Sequence, residues 1–423
     1  MGRQKPAVAL SAALAPESLQ AINAQLARLR ENVSFYRERL PEGGLRSLDE
    51  VGSLPFTTKE DFRANYPFGL FAVPREEVVR LHMSSGTTGR PVVTGYTRHD
   101  LELWAECMVR VMEYAGVTSR DVVQNAYGYG LFTGGMGLHL GAEAVGATVV
   151  PTSSGVTQRQ VMLMRDLGTT VLCCTPSYAL VLAEALRGLE GREGVRLRVG
   201  IFGAEPWSDG LRGQIQTHLG LEAFDIYGLT ELGGPGVAAE CSRHEGLHIF
   251  EDHFYAEVVD PDTGTPLPEG RPGELVLTSL RREASPVLRY RTRDRTVLTS
   301  EPCACGSPYR RFLRVQGRTD DMLVVRGENV FPSQFEELLA GFAGFNGQYI
   351  LVVDRQAHSL DTLEVRLEAD TADEQRLEQE IRDRIRDSIG LTVTAKVLRP
   401  GVLPRSEGKA KRVVDHREAV GTP

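Results

Sequence analysis

Four groups of residues in this 423-residue chain have types and spacings suited to chemistry. The first is Ser84-Ser85-Gly86-Thr87-Thr88-Gly89-Arg90-Pro91. Its glycines let the backbone turn through positive φ and approach an anion, and its hydroxyls can donate to phosphate oxygens. The lysine and spacing of a Walker A loop are absent, so any cation for phosphate chemistry has to come from elsewhere. The second group, Tyr227-Gly228-Leu229-Thr230-Glu231, gathers an aromatic, a hydroxyl and a carboxylate within one expected turn. A carboxylate beside phosphates calls for a cation between them, which makes Glu231 a candidate Mg²⁺ ligand. The third, Tyr127-Gly128-Tyr129-Gly130-Leu131-Phe132-Thr133-Gly134-Gly135, sets the rings of Tyr127, Tyr129 and Phe132 among bare backbone such as Gly134. Aromatic faces beside glycine suit a flat organic ligand.

The fourth group is built of metal-ligand types. Cys303-Ala304-Cys305-Gly306 is a tight pair in a turn, and Cys241 with His248 lies in another glycine-containing segment. Two short pairs joined by a long insertion can supply the four tetrahedral ligands of Zn²⁺, and a closed set of four makes the site structural. Cys241, His248, Cys303 and Cys305 are the proposed ligands, with His244 an alternative to His248. Cys107, Cys173 and Cys174 stand in apolar stretches and read as core thiols. Taken singly, each group also has a plain structural explanation: a polar surface turn, a solvated glutamate, a core aromatic cluster or unligated thiols.

The elements that must position these residues follow from periodicity. Residues 16–31 read as a packing helix with Leu19, Ile22, Leu26 and Leu29 at helical spacing, and Thr57 or Thr58 caps a short helix ahead of the first loop. Residues 78–83 are strand-like and 97–113 helical, which puts the phosphate loop at a strand end. From residue 122 to 226, strands at 122–127, 147–151, 170–174, 198–202 and 222–226 alternate with helices, the βαβ rhythm of a mainly parallel sheet with ligands at the strand C-termini. Beyond residue 322, a strand from Met322, a helix at 335–342, strands at 348–354 and 362–368, a helix at 372–388 and a strand at 393–398 describe a compact α+β unit. The expected fold is α/β: a large N-terminal domain of mainly parallel sheets flanked by helices, with a small mobile α+β C-terminal domain. The divisions fall at 1–317, a hinge at 318–322, and 323–423.

Composition narrows the class. With 41% hydrophobic residues the chain can bury more than one core. A net charge of −8 from well-mixed acidic and basic residues argues against nucleic acid as the main partner. No run of apolar residues is long enough for a membrane span and the N-terminus has no convincing signal peptide, so a cytoplasmic protein is expected, its six cysteines reduced or metal-bound.

The order of Ser84 to Pro91, Gly203-Ala204-Glu205-Pro206, Tyr227 to Glu231, Tyr290-Arg291-Thr292-Arg293-Asp294, Gly317-Arg318-Thr319-Asp320-Asp321, Gly327-Glu328-Asn329-Val330-Phe331-Pro332 and Arg405-Ser406-Glu407-Gly408-Lys409 resembles the adenylate-forming acyl-CoA synthetase superfamily. The segment from Tyr127 to Gly135 and the short N-terminal region look like its phenylacetate-CoA ligase branch. The resemblance implies an ATP-dependent, AMP-forming ligase that activates an aromatic carboxylic acid such as phenylacetate and passes it to coenzyme A. An adenylate-forming protein that serves a carrier protein, or that only binds acid and nucleotide, is the alternative. It further implies that Ser84, Ser85, Gly86, Thr87, Thr88 and Gly89 hold the β- and γ-phosphates, and that Gly203, Ala204, Glu205, Asp225, Ile226, Tyr227 and Gly228 surround the adenine. Thr230 would meet the α-phosphate, Glu231 the magnesium and Asp294 the ribose, with Arg318 reaching the nucleotide. Asp320 matches the hinge, Gly327 the coenzyme A channel and Lys409 the lysine of the adenylation transition state; a homodimer is a family expectation. Two positions depart from the family pattern, Arg90 where lysine is frequent and Glu407 where serine is.

Overall fold

The computed structural model describes residues 15–84, 90–187, 194–318, 323–325, 328–355, 361–406 and 410–417. Helix α1 (Ala15–Asn32) buries Ile22, Leu26 and Leu29 at the expected spacing, and α2 (Ser34–Arg37) follows. Tyr36 of α2 hydrogen-bonds to Thr57 at 2.7 Å, and the Thr57 hydroxyl donates to the Leu288 carbonyl. This small polar chain ties the N-terminal helices to a segment more than 200 positions away. Helix α3 (Lys59–Ala64) starts with a reciprocal capping box between Thr58 and Asp61, so of the two threonines it is Thr58 that caps.

Strands β1 (Arg80–Met83) and β2 (Val93–Tyr96) form an antiparallel pair, and helix α4 (Arg98–Tyr114) follows with a Thr97–Asp100 capping box. The phosphate-loop segment therefore joins two strands of a hairpin instead of leading straight into a helix. Four residues, Val93-Thr94-Gly95-Tyr96, are too few to display a period between the loop and the helix cap, and β2 had no sequence signal.

The main sheet has 12 strands and two halves. In the first, β3 (Val122–Asn125), α5 (Thr133–Ala144), β4 (Thr148–Val150), α6 (Thr157–Asp166), β5 (Val171–Cys174), α7 (Pro176–Arg187), β6 (Val199–Gly203), α8 (Asp209–Leu219) and β7 (Glu222–Leu229) alternate. These strands lie parallel in the order β4-β3-β5-β6-β7. Strands β5 and β6 are buried at every residue, as expected where helices cover both faces. The second half continues antiparallel from β7 through β8 (Gly234–Glu240), β9 (Leu247–Ile249), β10 (Phe254–Val259), β11 (Pro272–Ser279), β12 (Tyr290–Thr299), β13 (Arg311–Phe312) and β14 (Gly317–Arg318). Spatially it runs β7-β8-β9-β13-β12-β11-β10, with β14 on β12. The βαβ rhythm thus reports the parallel half, and the antiparallel half adjoins it without crossover helices.

A second hydrophobic core belongs to the C-terminal elements β15 (Leu323–Val325), β16 (Glu328–Val330), α9 (Pro332–Leu339), β17 (Phe345–Asp354), β18 (Thr362–Ala369), α10 (Glu374–Ile389), β19 (Thr394–Leu398) and β20 (Val413–Asp415). Their four-stranded sheet has the order β19-β18-β17-β20. Buried Phe335, Leu351, Val365, Leu367, Ile381 and Ile385 fill the space between that sheet and its helices. Among the described residues no helix is long and apolar enough to cross a membrane.

One buried carboxylate organises the return of the chain from β19 toward β20. Glu368 accepts from the backbone of Gly401 and Leu403, from the Asn346 amide and from both terminal nitrogens of Arg405. Burial opposes its ionisation, but the Arg405 bonds and the other donors hold its pKa down at about 2. A carboxyl depressed in the folded state contributes stability above its unfolded pKa and loses it as pH falls through the folded value. Glu368→Gln should therefore cost about 3 kcal/mol at pH 7, with the gap from the parent closing as the pH falls from 4.5 toward 2. Urea unfolding followed at several pH values measures both.

Candidate active site

The strand ends of the parallel half converge on one region. Gly203, the last residue of β6, lies so close to β7 that a Cβ there would sit 2.3 Å from the Ile226 carbonyl oxygen, so glycine is required. Its own carbonyl accepts from the buried Tyr127 hydroxyl at 3.3 Å, and burial pushes the Tyr127 pKa well above the usual phenol value. Ala204 follows with φ of 71°, a left-handed conformation that disfavours a side chain, and it turns the chain so that Glu205 points back across the sheet end. One Glu205 oxygen accepts from the Ser177 N–H in the first turn of α7 at 2.7 Å, and the other accepts from the Ala410 N–H at 2.9 Å. Asp225, on β7, is half-buried, and its pKa rises to about 7 through desolvation and then the charge of Glu240. Glu240 stays below the usual range despite its own burial, held by hydrogen bonds from His244 and Arg212.

Strand β7 runs further than the sequence reading had it. Tyr227, Gly228 and Leu229 are still strand, and the turn begins at Thr230 as a single 3₁₀ turn, Thr230–Leu232. From this strand Tyr227 donates to Asp294 at 2.5 Å, and Arg318 donates to the other Asp294 oxygen at 3.2 Å. The β12–β14 register sets Asp294 directly opposite Arg318. Residues of β12 alternate between buried and half-buried, so Tyr290, Thr292 and Asp294 share its inner face. Tyr290 lies beside Glu231, and burial followed by that neighbouring carboxylate raises the tyrosine pKa well above its ordinary value. Thr230 and Glu231 are 7% and 6% exposed, so the Glu231 carboxyl group is buried beside a buried hydroxyl. Arg293, between these groups, holds φ of 67°, a second strained non-glycine residue at the site.

Ser84 closes the mouth of the phosphate-loop segment. Its N–H donates to the Val92 carbonyl, and its hydroxyl accepts from the Val92 N–H at 2.9 Å. Ser85, Gly86, Thr87, Thr88 and Gly89 lie outside the described residues, as do Asp320, Gly327 and Lys409. The hairpin is joined to the aromatic segment, because the Leu131 carbonyl accepts from the Met83 N–H at 2.8 Å and lies 3.1 Å from His82 Nδ1. The three rings of that segment have different environments. Tyr127 is core, Tyr129 is half-buried with its hydroxyl between Asn125 and His139, and Phe132 is exposed at the start of α5 with its ring against Gly134. Tyr290, Ser177, Asn125 and His139 had no assigned part in the sequence reading. Each acts through a partner brought by the fold, and no local spacing marks them.

The four metal-ligand candidates do meet. One donor atom from each of Cys241, His248, Cys303 and Cys305 lies within 4.8 Å of the others. The Cys241 and Cys303 sulfurs are 3.7 Å apart, and Cys305 Sγ is 3.4 Å from His248 Nε2. A zinc tetrahedron with ordinary bond lengths puts sulfur edges at about 3.8 Å and sulfur–nitrogen edges at about 3.6 Å, so the residues fit that ion. His248 Nδ1 lies 3.1 Å from the Tyr309 carbonyl, an acceptor that leaves Nε2 as the free ligand atom. His244 is engaged instead with Glu240 and Glu222, which decides between the two histidines. Cys107, Cys173 and Cys174 are buried in the core.

A family model described as AMP-binding enzyme matches residues 26–280, and one described as AMP-binding enzyme C-terminal domain matches residues 327–417. The phenylacetate-coenzyme A ligase of Thermus thermophilus is 48% identical, over 93% of this chain and 94% of that protein. Its Escherichia coli counterpart is 47% identical over 96% of each. Among solved structures, 2-hydroxyisobutyryl-CoA ligase in its postadenylation state, bound to an acyl-AMP, superposes with a TM-score of 0.89 at 28% identity, covering 97% of this chain and 91% of that one. The same enzyme in its thioesterification state gives 0.70 at 29% identity, over 96% and 90%. With both models in order along one sequence and near-half identity over its length, the chain belongs to the AMP-binding enzyme family, in its phenylacetate-coenzyme A ligase branch.

Proposed function

We propose that the chain is an AMP-forming acid–CoA ligase that activates an aromatic carboxylic acid, phenylacetate or a close relative, as its acyl-adenylate and transfers the acyl group to coenzyme A. The observation that carries this is the similarity, over almost the whole chain, to phenylacetate-coenzyme A ligases from several bacteria. A carboxylate is a poor acyl donor. Attack of its oxygen on the α-phosphorus of ATP expels pyrophosphate and leaves an acyl-adenylate whose leaving group is AMP. Coenzyme A thiolate then attacks the acyl carbon, forming the thioester and releasing AMP.

Residue roles follow from chemistry and position. Ser84 to Gly89 hold the β- and γ-phosphates, Gly203 to Glu205 and Asp225 to Gly228 line the adenine, and Asp294, braced by Tyr227 and Arg318, receives the ribose hydroxyls. Thr230 donates to the α-phosphate. Glu231, buried and met by Tyr290, is the residue to hold Mg²⁺, which would neutralise charge on the phosphate oxygens. Tyr129, Phe132 and the glycine backbone around Gly134 face the acid, with Tyr127 setting that segment against β6. Lys409 supplies the cation missing from the phosphate loop. It comes from the C-terminal domain, residues 323–423, which turns about Asp320 relative to residues 1–317, so the lysine can leave before the thiol enters past Gly327. The nearer likeness to a postadenylation structure than to a thioesterification structure supports assigning the present placement of the two domains to the first of two arrangements. Zn²⁺ at Cys241, His248, Cys303 and Cys305 would be structural, pinning the neighbouring strands β8, β9, β13 and β12 at one end.

Acid-dependent pyrophosphate exchange, AMP release and thioester formation across a panel of aryl and alkyl acids test the activity. Aryl acids should give all three; exchange without thioester would move the acceptor to a carrier protein, and no exchange would end the ligase reading. Lys409→Ala should slow exchange by about a hundredfold or more while thioester formation from supplied acyl-adenylate stays near the parent rate. Equal losses would remove the two-arrangement account.

Metal analysis of protein purified without chelator should find about one zinc per chain, and Cys303→Ser should lose most of it together with several degrees of thermal midpoint. Folded, metal-free parent protein would overturn the zinc site.

A further inference from the structure

We infer that Glu205 is a positioning residue for adenylation: its carboxylate fixes the small-domain segment that carries Lys409, in addition to bordering the nucleotide. This rests on the reading of Lys409 given above. Two independent features of the molecule point to it.

The first is where the oxygens of Glu205 go. A carboxylate beside adenine alone would leave its oxygens to the ligand or to water. Here Oε1 takes the Ser177 N–H in the first turn of α7, one of the donors a helix leaves unpaired, at the end of the helix dipole that favours a negative charge. That bond fixes the carboxylate to the large domain. Oε2 takes the Ala410 N–H, which belongs to the peptide unit joining Ala410 to Lys409. Glu205 and Ala410 are 205 positions apart in sequence, and the contact crosses from the end of β6 to the C-terminal segment.

The second is how the segment is held on its other side. Arg412 donates to the Tyr349 carbonyl and lies over the Tyr349 ring at 4.5 Å, and from Val413 the chain is β20, paired with β17. Arg412 also reaches the Ser177 hydroxyl at 3.4 Å, beside the backbone N–H that Glu205 accepts. Residues 410–412 are thus anchored to the small sheet downstream and to the large domain through Glu205 and Ser177. Charge-assisted bonds of this kind are directional, and Glu205 sets where the segment stands against the nucleotide site.

The test compares the two half-reactions. Glu205→Ala should lower the kcat of acid-dependent pyrophosphate exchange by about tenfold to a hundredfold, the worth of one charge-assisted hydrogen bond, with KM for ATP changed by less than about threefold. Thioester formation from supplied acyl-adenylate should fall by a clearly smaller factor than exchange does. Glu205→Gln, which keeps one acceptor oxygen and the shape of the side chain, should fall between and serves if the alanine variant does not fold. Ala410→Pro deletes the donor and leaves Glu205 and α7 intact. Combined with it, the Glu205 change should add little further loss of exchange. Full additivity in that double variant, a raised KM for ATP with kcat unchanged, or equal loss in both half-reactions would overturn the proposal. A Lys409→Ala protein with no selective loss of exchange would instead overturn the lysine reading, and the Glu205–Ala410 cycle would still report whether the contact is made.

Discussion

Two carboxylates, Glu231 and Asp294, lie buried where the end of β7 faces the inner side of β12, and much of the site follows from the need to satisfy them. A buried carboxylate without donors or a cation costs several kcal/mol, on the order of its lost hydration. Each has a tyrosine from the opposite strand beside it: Tyr290 of β12 neighbours Glu231, and Tyr227 of β7 donates to Asp294. This crossed pairing requires β7 and β12 to hold a fixed relation although β8, β9 and β13 stand between them in the sheet. The strands that intervene are the ones the Cys241, His248, Cys303 and Cys305 cluster brings together at its end. A tetrahedral ion there would act on the same geometry from outside the site, which gives a structural metal a functional consequence without any contact with substrate.

The parallel half of the sheet was legible because its signals are local. Each βα unit carries a short β-branched run, a glycine or proline break and a helical period, and the caps at Thr58 and Thr97 obey a rule that spans only four residues. The cysteines were legible for another reason: few residue types bind zinc, so even scattered ones could be grouped by chemistry. What could not be read depends on register. Strand β2 is too short to show a period, and the antiparallel strands after Glu231 lack helices to punctuate them. The extent of β7 through Leu229 depends on its pairing with β8, which no residue of β7 announces.

The partners of the site residues were the least legible part. Tyr290 stood in a recognised motif without a role, because its hydroxyl matters only once β12 is placed against the Thr230–Leu232 turn. Glu205 stood in an adenine-flanking motif, and its sequence neighbours give no hint that one oxygen goes to α7 and the other to Ala410. The aromatic segment shows the reverse error of grouping. Tyr127, Tyr129 and Phe132 look alike in sequence, yet the alternation of burial along a tight turn separates a core ring from a half-buried one and an exposed one.

The character of the contact between the large and small cores bears on how such a protein could hold two arrangements. The small domain's hydrophobic cluster is separate from the two of the large domain, and the boundary carries polar bonds: Ser208 N–H to Glu336, the Gln214 amide to the Phe345 carbonyl, Arg405 to Glu184, and the Ala410 N–H to Glu205. An intramolecular hydrogen bond exchanged for water is worth only about 1 kcal/mol net, so a set of this size can be broken without exposing a core. The same bonds are directional, so while they are made they set one orientation with little tolerance. A contact of apolar side chains would be adhesive but imprecise, and a buried salt-bridge network would be precise but slow to release. A chain that must bring a lysine to a phosphate for one step and withdraw it for the next needs a contact that is exact when formed and weak in sum, and a small set of polar bonds has both properties.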